Sequence, residues 1–112
     1  MSTNRYLKKN GMNSFTNNYD PIESIIFEKG LRIRGLHFYT DMDLMIIVLN
    51  NQKVLIRNIS QNPGLAGVDT TELNRYELIA EGVGIHWPTL DEDLSLKMFL
   101  KEELINQNPV GV

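Results

Sequence analysis

The stretch from Leu44 to Arg57 limits the fold more than any other part of the chain. Leu44 to Leu49 is an unbroken apolar run, with β-branched Ile46, Ile47 and Val48 at its centre. Asn50-Asn51-Gln52 supplies turn residues, and Val54 and Ile56 then alternate with Lys53 and Arg57. A short apolar run, a polar turn and a second run of period two predict an antiparallel hairpin. The continuity of the first run predicts a strand buried on both faces. In the second run, Val54 and Ile56 are the apolar phase. The same period extends backwards through Leu31 and Ile33, which alternate with Arg32 and Arg34, to Ile25 and Phe27, so Ile22 to Ser60 reads as strand throughout. At Gly35 the phase slips by one residue before Leu36 and Phe38 resume it, which predicts a β-bulge.

The flanks have different periods. Residues 1–20 carry five asparagines and no sustained apolar period, so they read as a flexible polar tail that ends at Asp20-Pro21. Asn62-Pro63-Gly64 breaks the strand pattern. From Asp69, with Asp69 or Thr70 as cap, a short helix is expected, followed by a brief strand Ile85-His86-Trp87 that Pro88 stops. Leu96, Phe99, Leu100 and Leu104 then share one helical stripe, with Ser95 as N-cap and Lys97, Lys101, Glu102 and Glu103 outside it. The expected architecture is α+β: a single domain over residues 21–105 with a small antiparallel sheet and two short helices, the last one C-terminal and amphipathic. Residues 106–112 are expected to fray.

Composition removes several function classes. Among 112 residues there is no cysteine, which excludes disulfides, thiolate metal sites and cysteine nucleophiles. The six-residue run from Leu44 to Leu49 is far short of the roughly 20 apolar residues of a membrane helix. No secretory core follows the start, so a cytoplasmic protein is expected. Charge divides unevenly. Residues 1–68 hold eight Lys/Arg and five Asp/Glu, a net of +3, and residues 69–112 hold three and nine, a net of −6. An acidic half repels phosphate within a screening length, which argues against a general nucleic-acid footprint. The basic residues of the first half, Lys8, Lys9, Lys29, Arg32, Arg34, Lys53 and Arg57, read as solvated strand and tail positions. Their one nucleic-acid alternative is weak binding through Arg32, Arg34, Lys53 and Arg57.

Chemistry concentrates in Gly82-Val83-Gly84-Ile85-His86-Trp87-Pro88, continued by Asp91-Glu92-Asp93. One imidazole and three carboxylates this close could serve a metal-dependent or acid/base hydrolase using His86 with Asp91 or Asp93. Ligand count opposes a metal, because His37 is the only other histidine and a catalytic site draws about three ligands from separate elements. Asp91 and Asp93 are better explained as acids at the start of the last helix, where they meet its free N–H groups. Trp87 reads as a core anchor and His86, alternating with it, as outward-facing. Gly82 and Gly84 read as a turn requiring positive φ and not as a dinucleotide loop, since the third glycine is replaced by Trp87 and Pro88 follows. No Walker loop, nucleophile elbow or H-E-x-x-H zinc motif occurs. No catalytic residue, metal or cofactor is therefore assigned; Gly82, Gly84, Trp87 and Pro88 are given structural roles.

The run Glu77-Leu78-Ile79 through Gly84-Ile85-His86-Trp87-Pro88 and Leu90-Asp91-Glu92-Asp93-Leu94-Ser95 closely resembles the C-terminal signature of a small bacterial family, domain of unknown function 2442. The resemblance continues upstream through Leu44 to Ile56, Pro63 and Leu65, and covers about residues 30 to 100. This chain departs from the family at the Asn50-Asn51-Gln52-Lys53 turn and at Gly64 and Leu73, where the family often has arginine. The resemblance implies a compact α+β domain without established catalytic activity. Family members often stand beside a gene for another small protein, domain of unknown function 4160, and some are fused to helix-turn-helix segments. That context implies a regulatory or toxin–antitoxin-like module whose partner is another protein, the product of a neighbouring gene. Together with the acidic block, it leads to the expectation of a non-enzymatic protein-interaction module that meets a basic partner through Glu77, Glu81, Asp91, Glu92 and Asp93. Self-association through a strand edge is a related expectation.

Overall fold

A computed structural model describes residues 18–107. Most of the expected N-terminal tail, and residues 108–112 of the expected frayed end, lie outside the described residues. The α+β class stands, with more elements than expected among the described residues: three α-helices, and two small antiparallel sheets of three strands each in place of one sheet.

The first departure is at the start. Ile22 to Phe27, expected as strand, belongs to helix α1, Pro21–Phe27. Asp20 is its N-cap: its carboxylate accepts from Glu23 N–H at 2.7 Å, and Glu23 Oε1 accepts from Asp20 N–H at 3.1 Å. This reciprocal capping box, with Pro21 in the first turn, outweighs the chance alternation of Ile25 and Phe27. Ile22, Ile25 and Ile26 also satisfy a helical spacing, and Ile26 is fully buried.

Strands β1 (Ile33–Tyr39), β2 (Leu44–Leu49) and β3 (Val54–Asn58) form the first sheet in sequential order. The register shifts between Ile33 and Gly35, so the expected bulge is present. β2 is central, but its burial alternates. Met45, Ile47 and Leu49 enter the core, while Ile46 and Val48 are only half-buried on the other face, which corrects the expectation of burial on both sides. The phase of β3 is also reversed. Leu55 and Arg57 point inward, and Val54 and Ile56 are 51% and 56% exposed. Register decides this: Leu55 is opposite Ile47 and Arg57 opposite Met45, so residues paired across the ladder share the core face.

A short helix α2 (Thr70–Leu73), capped as expected by Asp69 on Glu72 N–H, leads to the second sheet. Its strands are β4 (Glu77–Ile79), β5 (Gly84–Trp87) and β6 (Glu92–Ser95), with β5 central. Helix α3, Leu96–Gln107, begins where Ser95 Oγ accepts from Met98 N–H at 3.1 Å, the expected cap. It continues through Asn106 and Gln107, beyond the expected limit of the domain. Its apolar stripe is buried only at the start: Leu96 and Phe99 are in the core, whereas Leu104 is 59% exposed. Among the described residues no helix is long and apolar enough to cross a membrane.

One core joins the two sheets and the helices. Trp87 lies at its centre with no exposed surface, and its indole N–H donates to Leu73 O at 2.8 Å. The rings of Phe38 and Tyr76 stand 6.5 and 6.3 Å from it. Polar bonds complete the junction. Leu36 N–H, on the edge of β1, donates to the Tyr76 hydroxyl at 3.0 Å, and Ile33 N–H donates to Gly82 O at 2.9 Å.

Candidate functional site

The signature segment folds as the hairpin β5–β6 with β4 alongside, and the pleat sorts its side chains. Ile85 and Trp87 face the core; His86, between them, faces outward with its side chain 31% exposed. Glu77 is opposite His86 on one side and Asp93 on the other, so three strands place Glu77, His86 and Asp93 in one row on the open face. His86 Nδ1 and Asp93 Oδ1 are 2.6 Å apart. With the carboxylate ionised, Nδ1–H is the donor and Asp93 Oδ1 the acceptor.

Chemically this is an imidazole whose ring is oriented by a neighbouring carboxylate. Among the described residues the His86 side chain has one hydrogen-bond partner, Asp93, and Ser95, two residues further along β6, accepts from Met98 N–H. Two open clefts, of about 400 Å³ beside Lys29 and Asn51 and about 120 Å³ beside Arg57 and Ile105, include no residue of the second sheet. No three His, Asp or Glu side chains converge as a metal site among the described residues.

The acids do not cap α3. A strand intervenes: Glu92 and Asp93 are committed to the β5–β6 ladder, and Asp91 sits in the preceding turn at φ 52°. Two of the five candidate contact acids, Glu77 and Asp93, share the open face. Glu81 and Asp91 occupy the turns at opposite ends of β5, and Pro88 lies in the second of these. Glu92 is on the other side, opposite Trp87, with its carboxylate against Gly64 where a Cβ would come within 2.1 Å of Oε1. Glu77, Glu81, Asp91 and Glu92 have no ion-pair partner among the described residues.

Of the two glycines, Gly82 has the expected positive φ, 112°, and a Cβ there would lie 2.2 Å from Ile33 O. Gly84 does not: it is a strand residue, packed where a Cβ would meet Leu94 O at 3.4 Å.

The four basic residues are not brought together. Arg32 folds back, its Nη1 donating to Ile26 O and Leu31 O, and so ties α1 to β1. Arg34 and Lys53 are exposed. Arg57 is 6% exposed beneath α3, where it donates to Glu102 at 2.9 Å, Glu103 at 3.2 Å and Phe99 O at 2.8 Å, with its guanidinium carbon 5.7 Å from the Phe99 ring centre. Sequence reasoning missed this cluster. The signal was Leu55, an apolar residue in the same phase as Arg57.

The capping box sets the charge on α1. Asp20 is held below the ordinary carboxylate value, first by Glu23 N–H and then by Lys97. Glu23 is lowered chiefly by Lys97, 2.6 Å away, and Lys97 is raised chiefly by Glu23.

Comparison with known proteins gives a fold and a family. The crystal structure of a protein of unknown function from Rhodospirillum rubrum is similar at a TM-score of 0.56 and 28% identity, covering 64% of this chain and 87% of that one. The solution structure of an uncharacterised protein from Chromobacterium violaceum is similar at a TM-score of 0.58 and 19% identity, covering 90% of this chain and 100% of that one, a likeness of fold alone. No curated protein matches the sequence. The model of the family described as "Protein of unknown function (DUF2442)" matches residues 33–103, the span that holds both sheets, their aromatic junction and most of α3, and the chain belongs to that family.

Proposed function

We propose that the chain is a cytoplasmic protein-interaction module with a regulatory role, which receives a basic partner protein on the open face of its second sheet. The observation that carries this reading is the cross-strand row Glu77–His86–Asp93, in which Glu77 has no cation of its own among the described residues. Glu81 and Asp91 extend the negative potential to both ends of the hairpin, and the 45% exposed Ile79 offers apolar contact beside it. Like-signed carboxylates on a rigid sheet attract a cationic surface and orient it before contact. Glu92, which faces the other way, has no part in the contact.

The test is a comparative capture at low salt, with the wild-type chain and a Glu77→Lys/Asp93→Asn double variant as baits. A protein partner retained by the first, lost by the second and released from the first by added salt supports the reading. Capture of the same proteins by both baits, or of none by either, overturns it.

A further inference from the structure

The first sheet carries a second surface that the reading above does not use. In an antiparallel sheet with one face on the core, the other face is ordinarily polar. Here the solvent face of β2 and β3 is built from β-branched apolar pairs, Val48 opposite Val54 and Ile46 opposite Ile56, with His37 and Tyr39 alongside on β1. Val54, Ile56 and Tyr39 are 51%, 56% and 48% exposed. Side chains of this kind gain little from water on a flat sheet and much from a facing apolar surface.

The charges around the patch indicate what faces it. Exposed Arg34 and Lys53 lie at the end of the sheet that holds the bulge and the hairpin turn, and exposed Asp41 lies at the other end, in the turn between β1 and β2. None of these three has an ion-pair partner among the described residues. A surface that is positive at one end, apolar in the middle and negative at the other is complementary to itself when turned end over end. The open edge of β3 is a poorer contact. Pairing of Leu49 N–H with Lys53 O turns the backbone groups of Val54, Ile56 and Asn58 outward, but Asn58 N–H already donates to Gln61 Oε1 and Ile56 O already accepts from Arg57.

We propose that two copies of this chain pack face to face through the outer surface of the first sheet, about a two-fold axis running across the strands, so that Arg34 and Lys53 of each copy meet Asp41 of the other. The strand edge, the route expected from sequence, is then not the contact. This association is independent of the basic partner, which would use the second sheet.

Sedimentation equilibrium of the full chain over a concentration series tests it. A concentration-dependent species of twice the 12.9 kDa chain mass is expected. Ile56→Lys should weaken association about thirtyfold or more, as loss of a central interface contact does, while far-UV circular dichroism stays unchanged. Asp41→Lys, at an exposed turn outside the core, should weaken it as well, and adding Lys53→Glu to Asp41→Lys should restore it in part, because Arg34 keeps its charge. Ile79→Lys, on the second sheet, should leave it intact. A wild-type chain that remains monomeric at every concentration, or a dimer indifferent to both Ile56→Lys and Asp41→Lys, overturns the proposal.

Discussion

Arg57 illustrates how much one residue's role depends on its neighbours. By type it is a surface cation, and by pattern it is the polar phase of a strand, yet it lies under α3 with both Glu102 and Glu103 as partners. The glutamates are 41% and 30% exposed, so they retain much of their hydration when the arginine is removed, and the ion pairs themselves contribute little. The larger loss is the packing of the arginine stem and its charge-assisted hydrogen bond to Phe99 O. Arg57→Ala should therefore cost about 2 to 3 kcal/mol in urea unfolding, and a double-mutant cycle with Glu102→Ala should give a coupling below about 1 kcal/mol. A coupling of several kcal/mol would mean that the charge pair, and not the packing, holds α3 to the sheet.

Two elements store opposite kinds of local preference. Helix α1 is favoured by its ends: Asp20 and Glu23 are both held below their ordinary values of 3.8 and 4.5, by the capping hydrogen bonds and Lys97. A carboxylate with a depressed folded-state pKa contributes stability that is present above its ordinary value and is lost as pH falls through the folded value. Lys97, raised from 10.5, contributes below that value and loses its contribution only in strong alkali. The gap in Tm between wild type and Lys97→Met, open at neutral pH, should thus close as the solution is acidified through and below the carboxylate range. A gap that is constant with pH would remove the ionic explanation. The turn between β4 and β5 is strained instead. Ala80 and Glu81 both have positive φ, 50° and 60°, in a hairpin position that prefers Asn-Gly. Glu81→Gly should raise stability by about 1 kcal/mol, while Gly82→Ala, blocked by Ile33 O, should lower it by about 2 to 4 kcal/mol; thermal melts of the two variants measure both.

At the scale of the whole molecule, two sheets share one core, so neither can lose its packing alone. Trp87 is in contact with both, through Phe38 of the first sheet and Tyr76 beside the second. Trp87 fluorescence and far-UV circular dichroism should therefore report one coincident urea transition. Separate midpoints would show that the sheets unfold as independent units. Local patterns, which depend only on neighbours along the chain, were legible in the sequence: the 44–58 hairpin, the Gly35 bulge, the Asp69 and Ser95 caps, the inward Trp87 beside outward His86, and the α+β class. The Asp20-Pro21-Ile22-Glu23 box was legible too, but a competing period of two obscured it. What only the tertiary structure decided is which face of each strand is inside. Val54-Leu55-Ile56-Arg57 is apolar in both phases or nearly so, and its choice rests on cross-strand register and on where α3 lands. The division of the acids is of the same kind: Glu77 and Asp93 share the face of His86 and Glu92 turns away because β5 pairs with β4 on one side and with β6 on the other, whereas the chemistry of Asp93 alone allowed helix capping just as well.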